Sequence, residues 1–435
     1  MPDAAANHAE NELTELTKRI LFVHHRSELG GAPTSLSYLI RNIDRDRFEP
    51  HVYCPPGAAA DLFREAGATV HEGTVAGFTH IWASTYRGRR WLLFLRELAR
   101  LPAHVVAFRR VLRQGRFDLV HLNDSPLIPA AWLSRRAGKP VVWHLRSAPP
   151  HQGQDRRSRF VRRVFVRLGD VLVAINDDVA RLWDVPAIVV PNAVDLARFH
   201  PGDTRAARAA ADLPIDRPVV SYFGYIYPSK GFHEFVAAAS LIRERGPATT
   251  YLVVGGGVRG DAFFRSPAGV VLELLGLAHD HEAEARALVR EAGLQDSFRF
   301  VPFTHDTAEL YRATDVLVAP SQGPEIGRPL LEGAASGVAV IGTGTKTGGG
   351  ILEPGQTTVF TEDFRAEAIA RAVTELLDHP ERRQAIGSAA REHAAHMFEP
   401  ARNARRIELI YDRLLEPHVE PEDEAAAMPA ASARR

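Results

Sequence analysis

The residues of this chain best placed to do chemistry lie in one segment. Pro320-Ser-Gln-Gly-Pro-Glu-Ile-Gly-Arg-Pro-Leu-Leu-Glu332 follows an apolar run, Asp315-Val-Leu-Val-Ala319, and leads into a helical pattern near residues 327–329. The order is strand, Pro/Gly loop, helix N-terminus. The first N–H groups of a helix have no partner within it and sit at the positive end of its dipole, so such a place suits an anion. Two carboxylates, Glu325 and Glu332, flank it. Carboxylates repel phosphate but accept hydrogen bonds from hydroxyl groups. The ligand implied carries both phosphate and polyol, as a nucleotide sugar does. Lys230, in Pro228-Ser-Lys-Gly231 after another apolar run, is a cation suited to phosphate. His144 ends a further run and Asn123-Asp124 follows one more. A histidine there is often structural, and Asn or Asp often only forms a turn, but a strand end is also where α/β sheets hold ligands.

Elements must position these residues, and the hydrophobic pattern supplies them. Residues 19–24 read as a buried strand, followed by Gly30-Gly31 and a helix over 33–42. Strands at 51–54, 69–71, 118–122, 140–144, 171–175 and 187–190 continue the first half, with helices at 58–66 and 126–137. The pattern restarts at 218–223. Strands at 250–254, 298–301, 315–319, 338–341 and 357–360 then alternate with helices at 232–245, 282–292, 308–313, 366–377 and 380–395. The expected class is α/β, with two successive Rossmann-like, doubly wound domains joined near 191–218. Their spans are 18–200 and 201–398, with a last helix over 399–416 and disordered ends at 1–17 and 417–435. The glycine loops at Gly30, Gly224, Gly255 to Gly257 and Gly327 all follow strands. Their convergence says more than any one loop, since a lone glycine often only makes a turn.

A chain of 435 residues with 45% hydrophobic and 24% charged residues has the composition of a soluble globular protein. Its one cysteine, Cys54, excludes an internal disulfide, fits a reducing compartment, and reads as a core thiol at the end of an apolar stretch. No signal-peptide pattern opens the chain, and runs such as Trp91-Leu-Leu-Phe-Leu95 are too short to span a bilayer. Cytoplasmic placement is expected. Net charge is zero overall, yet residues 85–167 carry +15. Within them, 86–100 and 156–167 read as basic amphipathic helices, either a solvated surface or a peripheral contact with anionic membrane. Nothing suggests nucleic acid, because no recognition motif accompanies the charge. Asp44-Arg-Asp46 reads as a surface turn, and His279-Asp-His-Glu282 as helix capping in preference to a zinc site.

The motifs as a set resemble the retaining glycosyltransferases of family 4, which have the GT-B fold of two facing Rossmann-like domains. The resemblance rests on Val190-Pro-Asn-Ala-Val-Asp195 with Phe199, Phe223-Gly-Tyr-Ile-Tyr-Pro-Ser-Lys-Gly231, Leu252-Val-Val-Gly-Gly-Gly257, Tyr311-Arg-Ala-Thr-Asp-Val-Leu-Val-Ala-Pro-Ser321, the opening segment, and Thr347-Gly-Gly-Gly350. It covers the chain from about Pro191 to Leu415 and extends more loosely to Gly30-Gly31, His121-Leu-Asn-Asp124 and His144. It implies that the second domain holds a nucleotide-diphosphate sugar and the first an acceptor, either glycan, lipid-linked or small molecule. It also implies that the last helix returns to the first domain, and that transfer retains anomeric configuration without metal or other cofactor. The catalytic set implied is Lys230, Glu325 and His144. The donor set is Gly30, Gly31, Gly224, Tyr225, Lys230, Gly256, Phe303, Ile326, Gly327, Arg328, Pro329, Leu330 and Glu332, and the acceptor set Asn123, Asp124 and Arg146. Three positions depart from the family pattern. Tyr225 stands where an arginine follows the phosphate-loop glycine, Pro324 where the first of two glutamates is usual, and Asn123 where a histidine is common. These departures keep alternatives open: another GT-B enzyme such as an epimerase or hydrolase, or a weakly catalytic nucleotide-sugar-binding partner subunit. Residues 258–281 look like an insertion.

Overall fold

The computed structural model describes residues 17–78, 91–246, 248–257, 261–276, 278–304, 306–323, 326–343 and 347–416. Two parallel sheets organise the chain. The first has seven strands: β1 (Lys18–Val23), β2 (Phe48–Cys54), β3 (Thr69–Glu72), β4 (Leu119–Asn123), β5 (Val141–Leu145), β6 (Val171–Ala174) and β7 (Ala187–Val189). The second has six: β8 (Val219–Phe223), β9 (Thr250–Val254), β10 (Phe298–Val301), β11 (Val316–Ala319), β12 (Ala339–Gly342) and β13 (Val359–Phe360). Their orders are β3-β2-β1-β4-β5-β6-β7 and β10-β9-β8-β11-β12-β13. Each sheet reverses direction once, between β1 and β4 and between β8 and β11. That crevice is where doubly wound sheets receive ligands.

Alternation along the buried strands feeds two layers of core per sheet. Ile20 and Phe22 of β1 pack under the helices Gly31–Asn42 and Ala58–Glu65, whereas Leu21 and Val23 pack under Trp91–Gly115 and its neighbours. In the second unit Val220 and Tyr222 meet the helix Phe232–Arg245, while Val219 and Phe223 meet the side of Arg328–Ala335. The helix Pro400–Leu415 crosses back to the first unit. It places Ala404, Ile407, Ile410 and Tyr411 in the core over β1.

Several elements differ from the sequence-based reading. A helix runs unbroken from Trp91 to Gly115 although Pro102 lies inside it. Its buried face, His104, Phe108 and Leu112, repeats every four residues and holds it to the sheet. The link between the units contains a helix, Thr204–Ala210, capped by the Asp203 carboxylate. The inserted region forms two short helices, Asp261–Phe264 and Pro267–Leu274, the second capped by Ser266. Residues 44–46 do form a turn, in which the Asp46 N–H donates to Asp44 Oδ1 (3.0 Å). Cys54 is buried, and burial pushes its thiol up to about 12. Among the described residues no helix is long and apolar enough to cross a membrane.

Candidate functional site

The second unit's half of the cleft is built from glycine corners. Gly224, at the end of β8, has φ +130°. Gly255, at the end of β9, also has φ +130°, and a Cβ there would lie 2.2 Å from the Gly224 carbonyl oxygen. The contact requires glycine at 255, while at 224 the backbone φ alone favours it. A Cβ on Gly256 would meet the Glu282 carboxylate, a side-chain end that can shift, at 2.6 Å. Gly231 has φ +69° and opens the helix Phe232–Arg245, and a Cβ there would strike the Pro320 carbonyl oxygen at 1.9 Å. The loop leaving β11 is therefore pressed against that helix N-terminus, and the Gln322 N–H donates to the Ser229 carbonyl (3.1 Å). Lys230 stands in the same turn, exposed, with no ion pair to a described residue.

The helix Arg328–Ala335 begins beside this loop, with Gly327 as its N-cap and Pro329 in its first turn. Ile326, Leu330 and Leu331 are buried and anchor it. Glu332, one turn in, accepts from the Tyr311 hydroxyl (3.0 Å) and from Arg328 Nε (2.9 Å). Tyr311 lies flat on Phe223, ring centres 4.0 Å apart. Arg328 and Glu332 form an almost wholly buried ion pair. The same guanidinium donates to Ser35 Oγ and to the Ala193 carbonyl, each at 3.2 Å, and lies over the Tyr38 ring. Arg328 thus ties the candidate ribose carboxylate to the opposite domain. Glu325 and Pro324 fall outside the described residues.

The first unit meets it with Gly30 and Gly31, which open the helix Gly31–Asn42. A Cβ on Gly31 would lie 3.7 Å from the Arg328 side chain. Tyr225 crosses the cleft: its hydroxyl donates to the Leu29 carbonyl (3.2 Å) and its ring stacks on half-exposed Phe303. At the far side, Thr347 donates to Asp178 (3.0 Å), and side chains at Gly349 and Gly350 would collide with Asn176 and Asp177.

Behind Gly30 the candidates Asn123, Asp124, His144 and Arg146 join a buried polar cluster with His24 and His121. Arg146 donates through Nε to Asn123 and through Nη1 to Asn192 Oδ1 (2.5 Å), and its Nη2 lies 3.4 Å from His144 Nδ1. Burial lowers Arg146 to about 10, which leaves it charged at neutral pH. Asn123 reaches His24 (3.0 Å), and His121 reaches the Tyr411 hydroxyl of the last helix (2.6 Å). Burial, with Arg146 nearby, holds His24 and His121 down at about 3 and His144 well below its usual value. All three rings are neutral. Asp124 has φ +102°, unusual for a residue with a side chain. Its carboxylate accepts from the Ser125 N–H (2.8 Å), the Arg146 N–H (3.2 Å) and Ser147 Oγ (3.0 Å), while burial raises its pKa. His144 and Arg146 line a cavity of about 20 Å³ with Ser35, Asn192 and Asn403. That is room for one water and not for a sugar ring. The structure therefore gathers Gly30, Gly31, Tyr225 and Arg328 at one crossing of the cleft. Asn123, Asp124, His144 and Arg146 form a second, buried group behind Gly30.

Residues 203–393 match the family described as glycosyl transferases group 1, and residues 29–198 match glycosyltransferase family 4. A D-inositol 3-phosphate glycosyltransferase of Saccharomonospora viridis is 31% identical over 68% of this chain and 72% of its own length. One from Catenulispora acidiphila is 30% identical over 78% and 80%. Among solved structures, Anabaena HepE in complex with UDP-glucose superposes with a TM-score of 0.72 at 19% identity, covering 91% of this chain and 99% of that one. Sucrose-phosphate synthase of Thermosynechococcus elongatus gives 0.64 at 20%, covering 91% and 99%. The fold is GT-B, and with both halves matched in order and relatives near 30% identity over most of their length, the chain belongs to the family 4, group 1 glycosyltransferases.

Proposed function

We propose that this glycosyltransferase takes a nucleotide-diphosphate sugar in the second unit and transfers the sugar, with retention and without a metal or cofactor in the reaction, to a hydroxyl held by the first. The observation that carries this reading is the meeting of two glycine-led helix N-termini with Lys230 at the switch point of the second sheet. As the sugar–phosphate bond breaks, negative charge gathers on the diphosphate and positive charge on the ring. Donors fixed in advance around the phosphate stabilise that state more than the bound substrate. Lys230 supplies the charge, and Gly224, Gly256, Gly327 and Pro329 leave backbone close to the ligand. Glu332 accepts from ribose, Phe303 and the Ile326 to Leu330 edge border the base, and Glu325 contacts the transferred sugar. Arg146, Asn123 and Asp124 shape the acceptor side. His144, neutral and buried, acts by orienting Arg146. The acceptor oxygen adds to the anomeric carbon as the diphosphate departs, and its proton passes to a phosphate oxygen that is gaining charge.

Binding of UDP-, GDP-, ADP- and dTDP-sugars by calorimetry is the direct test, with UDP-glucose and D-inositol 3-phosphate included because relatives carry those names. No binding to any of them would sink the reading. Proton NMR of the product reads the anomeric configuration, and a rate that does not rise on adding magnesium or manganese is the expected sign of metal-free transfer.

The acceptor includes lipid-linked molecules met at an anionic, cytoplasmic membrane face. Helices Trp91–Gly115, Ile128–Arg136 and Arg156–Leu168 lie side by side on one face of the first sheet. They expose Trp91, Leu92, Leu95, Trp132 and Phe160 among arginines. Apolar side chains ringed by cations suit a headgroup layer. Flotation with anionic vesicles, but not with zwitterionic ones, and release by salt are expected. Equal binding to both lipids would remove this surface from the reading.

A further inference from the structure

Away from the cleft, three imidazoles converge on one carboxylate. His281 opens the helix His281–Glu291, Glu284 stands in its first turn, His279 precedes it, and His233 comes from the first turn of Phe232–Arg245. Glu284 Oε2 lies 3.0 Å from His279 Nε2 and 3.4 Å from His281 Nδ1. Its other oxygen, Oε1, lies 3.4 Å from His233 Nε2. Ligating atoms of His279, His281 and Glu284 all fall within 4.8 Å of one another. Ligands about 2.0–2.1 Å from a tetrahedral zinc ion are about 3.3 Å apart, so small side-chain rotations would close His279, His281 and Glu284 on one ion, with His233 approaching from the other carboxylate oxygen.

Helix capping accounts for the neighbouring acids and not for this group. Asp280 caps the helix by accepting from the Ala283 N–H (3.0 Å). Glu282 accepts from the Gly257 N–H (3.2 Å) and from Arg286 (2.9 Å). The reading of residues 279–282 as caps thus holds for Asp280, while the histidines on either side of it turn to Glu284, one turn further on.

We propose that His279, His281 and Glu284, with His233 as fourth ligand, bind one divalent transition-metal ion of the zinc class. Nitrogen-rich ligation without thiolate favours zinc, nickel or copper over magnesium and calcium, which take oxygen. The ion serves as a clasp. It fastens the segment that follows the inserted helices to the helix Phe232–Arg245. Tyr227, in the turn that carries Lys230, packs on His281 with ring centres 5.1 Å apart, so the clasp also braces the candidate phosphate loop.

The test uses full-length, tag-free protein stripped with a chelator and then dialysed against zinc. The expected result is about one zinc per chain and a raised melting temperature, with no rise in magnesium. In the His279→Asn/His281→Asn double variant and in Glu284→Gln, affinity should fall at least about tenfold and the thermal rise should vanish. These residues lie on or near the surface, so circular dichroism of the apo variants should match the wild type. Should a variant misfold, cobalt bound to the wild type must still show a tetrahedral absorption band, and its absence counts against the site. The chain has nineteen histidines, so adventitious binding is the rival. Equal zinc in wild type and double variant, or well under one equivalent in the wild type, overturns the proposal. Unchanged affinity in His233→Asn overturns its place as fourth ligand.

Discussion

Glu332 and Lys230 are two charged residues at one cleft with opposite structural weight. Glu332 holds Arg328 and Tyr311 in near-complete burial. Glu332→Gln keeps the shape but leaves the guanidinium without its anion, and removing one partner of a buried pair costs about 3 kcal/mol. Urea unfolding should show that loss, and donor titration should show weaker binding by about tenfold. Lys230 is exposed and pairs with no described residue. Lys230→Ala should leave the melting temperature unchanged and cut kcat by about a hundredfold or more, if its charge meets the leaving diphosphate. Wild-type turnover in that variant would take Lys230 out of the chemistry. Gly224 and Gly231 were legible as turns because each follows an apolar run, and both have positive φ in the structure. The sequence could not show what Arg328 touches, since Ser35 lies 293 positions away. Nor could it show that Tyr225, which stands where the family has an arginine, places its hydroxyl on the Leu29 carbonyl.

At the scale of elements, buried parallel strands were the most legible. Thr250–Val254 falls where the apolar run places it, because both faces of the strand are covered. Phe298–Val301 falls there too, at the edge of the sheet, with Arg299 exposed. The helix Trp91–Gly115 was legible only to Arg100. The four-residue repeat beyond it is diluted by arginines that face solvent. In the polar cluster, Asn123, Asp124, His144 and Arg146 were legible as strand-end residues, but their linkage to His24 and to Tyr411 of the last helix was not, since the partners come from distant parts of the chain. The cluster's tie to that helix is testable. Tyr411→Phe removes the hydroxyl partner of His121 Nδ1, which is fully buried, and should cost about 1–3 kcal/mol. Chemical denaturation measures it, and a neutral result would mean that packing and the ties of Glu408 and Asp412 to Asp44 and Arg47 hold the helix without this bond.

At the scale of the molecule, burial of neutral histidines sets the response to acid. His24 and His121 titrate near 3 in the folded chain, against about 6.5 when unfolded. The unfolded chain therefore takes up protons below about pH 6.5 that the folded chain refuses until near 3. Each ring removes up to about 1.4 kcal/mol per pH unit across that window. His144 acts in the same direction, and Asp124, whose folded pKa is raised, acts in the other. Stability should fall steeply from pH 6.5 to 5, and His121→Gln should flatten the slope in a series of melts.

The last helix also fixes the order in which the first unit can be finished. Ala404, Ile407, Ile410 and Tyr411 complete a core that otherwise ends at Val190. The roughly 200 residues between them take about 10–40 s to synthesise at 5–20 residues per second. For that interval the nascent first unit shows water, or a chaperone, an apolar face over β1 that nothing yet made can cover. A chain that stops short of residue 400 keeps that face open for good.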